Sequence, residues 1–198
     1  MATKIKSSCV NRVLEQFRSE RYKNQEFTNP VSKSLAEAGD SKAMGRMGEI
    51  YIYDMLLSLG LKCKLLNGHD AYDLTTPSGQ NIGRIEVKTS KVGYNKARKD
   101  GTRGKCYGFN QMKPECFDLI FLVFADHEEC AVRVGGKKAQ EFILKYGTLQ
   151  QDKDIAGKVE KSGYRMHFLE NKRHSKELGR NDIFMDVTVD NIKKLLKD

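Results

Sequence analysis

Seven apolar residues in a row, Leu119 to Ala125 in FDLIFLVFAD, stand between Asp118 and Asp126. Successive side chains of a strand point to opposite faces, so a strand with no polar alternation must be covered on both sides. That requirement predicts a central strand over 117–126 and excludes a sheet with a wet face at this position. CAVRVGG, residues 130–136, reads as a neighbouring strand.

The rest of the chain supplies the covers. Asp40 or Ser41 can cap a helix that runs to about Leu59 and stops at Gly60, and TNPVSKSLAEAG before it makes a turn and a short helical piece ending at Gly39. Val10, Val13, Leu14 and Phe17 recur at helical spacing within 9–24. KKAQEFILKYG is a helix closed by Gly147, and Val189, Ile192, Leu195 and Leu196 mark a short amphipathic helix at the C-terminus. After Gly60, LKCKLLN alternates as a strand and AYDLTT is a second; a Pro77-Ser78-Gly79-Gln80 turn follows, and 82–90 form a third. The order gives an α/β fold, a mixed β-sheet flanked by helices. At 198 residues the chain reads as one domain: a helical appendage over 1–40, the core over 41–147, and a basic, polar excursion with the C-terminal helix over 148–198.

Charge narrows the partners. Thirty-five Lys and Arg against 26 Asp and Glu give a formal +9, a field that favours polyanions. Residues 88–113 hold eight of those cations, Lys88, Lys91, Lys96, Arg98, Lys99, Arg103, Lys105 and Lys113, against the single acid Asp100. Four glycines and no apolar period make this segment a loop, either simply solvated or a phosphate-gripping arm with Tyr94 and Tyr107 available to stack or hydrogen-bond. In 148–183, Arg165, Lys172, Arg173, Lys176 and Arg180 recur through a polar span that is either a surface excursion or the element that reads bases.

Five scattered cysteines form no CxxC pair and four histidines no HxxxH spacing, so the thiols read as reduced and zinc is not expected. No run approaches the roughly 18 apolar residues that cross a bilayer, and MATKIKSS lacks an apolar segment behind its lysines. A cytoplasmic protein without a membrane partner is the expectation.

The chemistry gathers around GRIEVKTSK, residues 83–91. Ile85 and Val87 face one way while Arg84, Glu86 and Lys88 face the other. A hairpin centred between Gly79 and Gln80 sets Asp73 directly opposite Glu86. Two carboxylates that close repel, and a divalent cation with oxygen ligands relieves the repulsion. Lys88 projects to the same side, where an ammonium can position or activate water and neutralise charge on a phosphate. Glu49 borders the apolar stripe Ile52, Tyr53 and Leu56 and needs a partner, either at this site or in Arg46 or Lys42.

Glu49 in a GxxGE helix, then Asp73, then Glu86-Val87-Lys88, a basic segment and an apolar strand resemble the PD-(D/E)xK nuclease superfamily over about residues 41–126. That superfamily includes type II restriction endonucleases and archaeal-type Holliday junction resolvases. Tyr72 stands where the family name has proline. The resemblance implies a restriction-endonuclease-like core in which Asp73, Glu86 and the Val87 carbonyl bind magnesium, for which manganese can substitute. It further implies that Lys88 orients the attacking water and Glu49 holds a metal-coordinated water or a second ion. Lys91, Tyr94, Lys96, Arg98, Lys99, Arg103, Lys105, Arg173, Lys176 and Arg180 are then the candidate contacts to DNA. The leading expectation is a magnesium-dependent endonuclease of double-stranded DNA, a small homodimeric restriction enzyme without an organic cofactor. A junction resolvase or repair nuclease is the alternative within the class. A DNA- or RNA-binding protein whose carboxylates are structural is the alternative outside it.

Overall fold

The structure is a computed structural model that describes residues 28–66, 72–76, 83–94, 105–153, 159–169 and 183–195. The helix expected over 9–24 and the turn at Pro77 to Gln80 lie outside the described residues.

Two capped helices open the described chain. Helix α1, Pro30–Ala36, begins where the Asn29 side chain accepts from the Val31 and Ser32 N–H groups, both at 3.0 Å. Helix α2, Ser41–Ser58, begins where Asp40 accepts from the Ala43 N–H at 2.7 Å, and it ends before Gly60 as the sequence reading expects. Asn29→Ala leaves two donors of α1 without their cap and is expected to cost about 1 kcal/mol in chemical denaturation.

Strands β1 (Lys64–Leu65), β2 (Leu74–Thr75), β3 (Arg84–Lys91), β6 (Leu119–Ala125), β7 (Cys130–Gly135) and β10 (Met185–Asp186) form a mixed sheet in that order. Strands β3 and β6 run parallel, and the other neighbours are antiparallel. As the unbroken apolar run demands, β6 is central and buried on both faces. Leu119, Phe121, Val123 and Ala125 join one core with Ile52 and Leu56 of α2 and with Ile192 and Leu195 of α4 (Val189–Leu195). Ile120 and Leu122 join a second core with Phe142 and Ile143 of α3 (Lys137–Tyr146).

That second core is completed by a feature the sequence reading does not contain. Strands β4 (Gly93–Tyr94), β5 (Lys105–Met112), β8 (Thr148–Lys153) and β9 (Val159–Leu169) make a separate four-stranded antiparallel sheet in the order β4-β5-β9-β8. The basic segment is therefore not a continuous loop, and the polar span after 148 supplies two paired antiparallel strands. Phe109, Met112, Met166 and Phe168 supply its buried face, with Phe109 and Phe124 meeting edge to face at 5.1 Å. Each strand gives the core only a few side chains set among polar ones, a weak signal when just one face is covered.

No helix among the described residues is long and apolar enough to cross a membrane. Cys63, Cys106, Cys116 and Cys130 are free thiols.

Candidate active site

The short β2 sets the geometry. Its register on β3 pairs Leu74 with Ile85 and Thr75 with Arg84, and the ladder ends there, one residue short of Asp73. Asp73 stays attached to the edge of β3 by donating its N–H to the Ile85 carbonyl at 2.9 Å. Its carboxylate then takes the next main-chain donor, the Val87 N–H, at 2.7 Å. On the far edge β3 remains paired with β6 all the way to Lys91. The site thus lies where β2 leaves β3. N–H and C=O of one strand residue point to the same edge, so the Val87 carbonyl points to the edge that Asp73 occupies.

Glu86 is only 6% exposed and forms an ion pair with Lys88. Burial, followed by the charge of Glu86, pushes the Asp73 carboxyl up to about 7. Burial also raises Glu86, against the opposing pull of Lys88, while Glu49 repels both acids. The Lys88 ammonium offsets part of the cost of burying this charge and leaves the acids strained toward protonation.

Helix α2 brings Glu49 to this edge through an unusually close packing contact. A Cβ placed on Gly48 would lie 1.8 Å from Thr89 Oγ1 of β3, so only glycine permits the approach. Arg46 donates to Glu49 Oε2 at 2.7 Å and to the Leu66 carbonyl at 2.8 Å, tying the helix to the end of β1. Of the partners weighed for Glu49, Arg46 is the one in contact, and its charge still reaches both Asp73 and Glu86.

The donor set available to a cation is two mutually repelling carboxylates and a main-chain carbonyl, all oxygen, which suits a hard ion such as magnesium. Among the described residues no three His, Cys, Asp or Glu side chains gather into a cage of their own. The residues present fit an ion that keeps several waters better than one held wholly by side chains.

A further cation with no motif spacing to mark it, the exposed Lys113, acts on this group by its charge. Its charge acts on Glu86 from the segment that joins β5 to β6, where it precedes the 3₁₀ turn Pro114–Cys116. Its neighbour in the basic segment behaves otherwise. Lys105 donates to Asp126 Oδ2 at 2.6 Å, and the Tyr107 hydroxyl donates to the same oxygen at 2.9 Å. Burial pushes Asp126 up, but Lys105, the His127 N–H and Tyr107 together hold it below the usual carboxylate range. Lys105 and Tyr107, expected on a phosphate-gripping arm, are thus bound to a fixed carboxylate. Lys91 ends β3 and Tyr94 ends β4. Lys96, Arg98, Lys99, Arg103, Arg173, Lys176 and Arg180 lie outside the described residues.

No protein-family model matches the chain, and neither does any curated protein or solved structure.

Proposed function

We propose that the chain is a magnesium-dependent endonuclease that hydrolyses phosphodiester bonds of double-stranded DNA, in the manner of a homodimeric type II restriction enzyme. The observation that carries this reading is a trio at the edge of β3: Asp73, whose carboxylate accepts from the Val87 N–H, and the buried Glu86 ion-paired with Lys88. Asp73, Glu86 and the Val87 carbonyl would hold the ion, which supplies charge neutralisation and a more acidic water. Lys88 is held by Glu86 two residues away on the same face, so its ammonium would be available to orient an attacking water and to neutralise phosphate charge. Arg46 holds Glu49 beside them. The overall +9 charge favours a polyanionic substrate.

Supercoiled plasmid incubated with the protein and magnesium is expected to be cut into discrete fragments. The cutting should vanish with EDTA and with Lys88→Ala. A wild-type protein that shifts DNA in a gel yet never cuts duplex, nicked or four-way substrates with magnesium or manganese would refute the nuclease reading. Cutting confined to four-way substrates would assign a junction resolvase instead.

A further inference from the structure

Strand β5 slips against β9 between Phe109 and Met112, and β8 slips against β9 between Gln150 and Gln151. A bulge places two residues against one and re-aims their side chains. Here Asn110 and Gln111 are both exposed, between the buried Phe109 and Met112. Gln111 has φ 54°, a left-handed conformation that glycine adopts without steric cost. Across the bulge Gly163, φ 110°, is glycine for want of space, since a Cβ there would meet the Met112 carbonyl at 2.8 Å. No such packing reason keeps glutamine at 111. A strained residue with an exposed side chain points to a use for that side chain.

The surroundings say which use. Arg165 donates from Nε to Asn110 Oδ1 at 2.7 Å, and Gln150 Oε1 accepts from the Gln111 N–H at 2.8 Å. Strand β5 touches β3 where the Gly108 N–H donates to Ser90 Oγ at 3.0 Å. Ser90 and Lys88 lie on one face of β3, so β5 and its bulge belong to the side of the sheet that carries Lys88. Side-chain amides match the donor and acceptor of an adenine edge, and a guanidinium fork matches the two acceptors of guanine. The bulge sits in the four-stranded antiparallel sheet β4-β5-β9-β8, and strands as well as helices are used to read base edges.

We propose that the bulged β5–β9 ribbon, with Asn110, Gln111, Arg165 and Lys113, is the surface that reads base edges of the duplex cut at Lys88. The proposal rests on the nuclease reading and adds to it which strands and side chains select the sequence.

The full chain, with calcium in place of magnesium, is offered a pool of randomised DNA duplexes, and the bound fraction is sequenced. The wild type is expected to enrich a motif. Gln111→Gly and Arg165→Ala should each relax the preference at one or two positions by about tenfold while binding to bulk DNA changes little. Gln111→Gly suits its own backbone conformation, so its melting temperature should equal or exceed that of the wild type. A wild type that enriches no motif, or variants that enrich the same motif with the same preference, would overturn the proposal. Cleavage of the same pool with magnesium is scored separately. A variant-sensitive motif without cleavage rejects the nuclease and keeps the reading surface, whereas cleavage with a motif indifferent to Gln111 and Arg165 rejects the surface alone.

Discussion

Asp73→Asn is expected to lower magnesium-dependent cleavage by roughly 10³-fold or more and, in metal-free buffer, to make the protein more stable at pH 8. The two effects share one cause. Burial and the charge of Glu86 push the Asp73 carboxyl up to about 7, so the folded state binds that proton more tightly than the unfolded chain does. The stability this group contributes is fully present below the ordinary carboxylate range and is lost as pH rises through about 7. At pH 8 the wild type carries a buried charge that Lys88 and the Val87 N–H only partly offset, whereas an asparagine there carries none and can still accept the Val87 N–H through its oxygen. The expected gain is about 1–3 kcal/mol at pH 8 and close to nothing at pH 4. Saturating magnesium should reverse the order, because a ligand that binds only the folded wild type stabilises it by mass action. Denaturation curves at the two pH values, with and without magnesium, read all of this. An Asp73→Asn protein less stable than wild type in metal-free buffer at pH 8 would remove the electrostatic account of the site.

The second large effect is steric. Gly48→Ala places a methyl group 1.8 Å from Thr89 Oγ1 and 3.0 Å from Thr89 Cβ. Strand β3 is held from its far edge by β6, so α2 must move, and it carries the buried Met47, Ile52 and Leu56. A loss of about 2–4 kcal/mol is expected, with Glu49 displaced from the edge it shares with Asp73 and Glu86. Gly45→Ala one turn earlier is the control, since nothing lies within 4 Å of a Cβ there. At a helix-interior position it should stabilise by about 0.5–1 kcal/mol. Among the described residues Thr89 Oγ1 is buried without a hydrogen-bond partner, so adding Thr89→Ala removes the worst clash and no bond. The double variant should recover part of the loss. A Gly48→Ala protein with wild-type stability would show that α2 does not sit as close to β3 as described.

These cases show what a sequence makes readable. A hairpin count brings Asp73 to the edge of β3, where its carboxylate meets the Val87 N–H instead of extending the ladder to Glu86, and capping residues bounded α2 to within a residue of Leu59. Strand β6 announces itself because burial on both faces leaves no polar interruption. The second sheet stays hidden because only one of its faces is covered and because the bulge at Asn110 and Gln111 shifts the inward phase from Phe109 to Met112. Gly48 is written plainly in GxxGE, but nothing local reveals that Thr89, 41 positions away, is what forbids a larger residue. Lys113 is equally unmarked, since its relation to Glu86 exists only once β5 has folded back beside β3. Lys105 counts as a free cation until Asp126, at the end of another strand, is set against it.

The separation of the two sheets has a further meaning for how such a chain can diverge. The acids, Lys88 and the helix that abuts them belong to the six-stranded layer, whereas Asn110, Gln111 and Arg165 belong to the four-stranded one, and among the described residues the layers share no strand. Asn110, Gln111 and Arg165 are exposed, away from the core that the two sheets share. On the roles proposed above, chemistry and choice of target would then fall to different sheets, and a change of target would need redrafting of one sheet only.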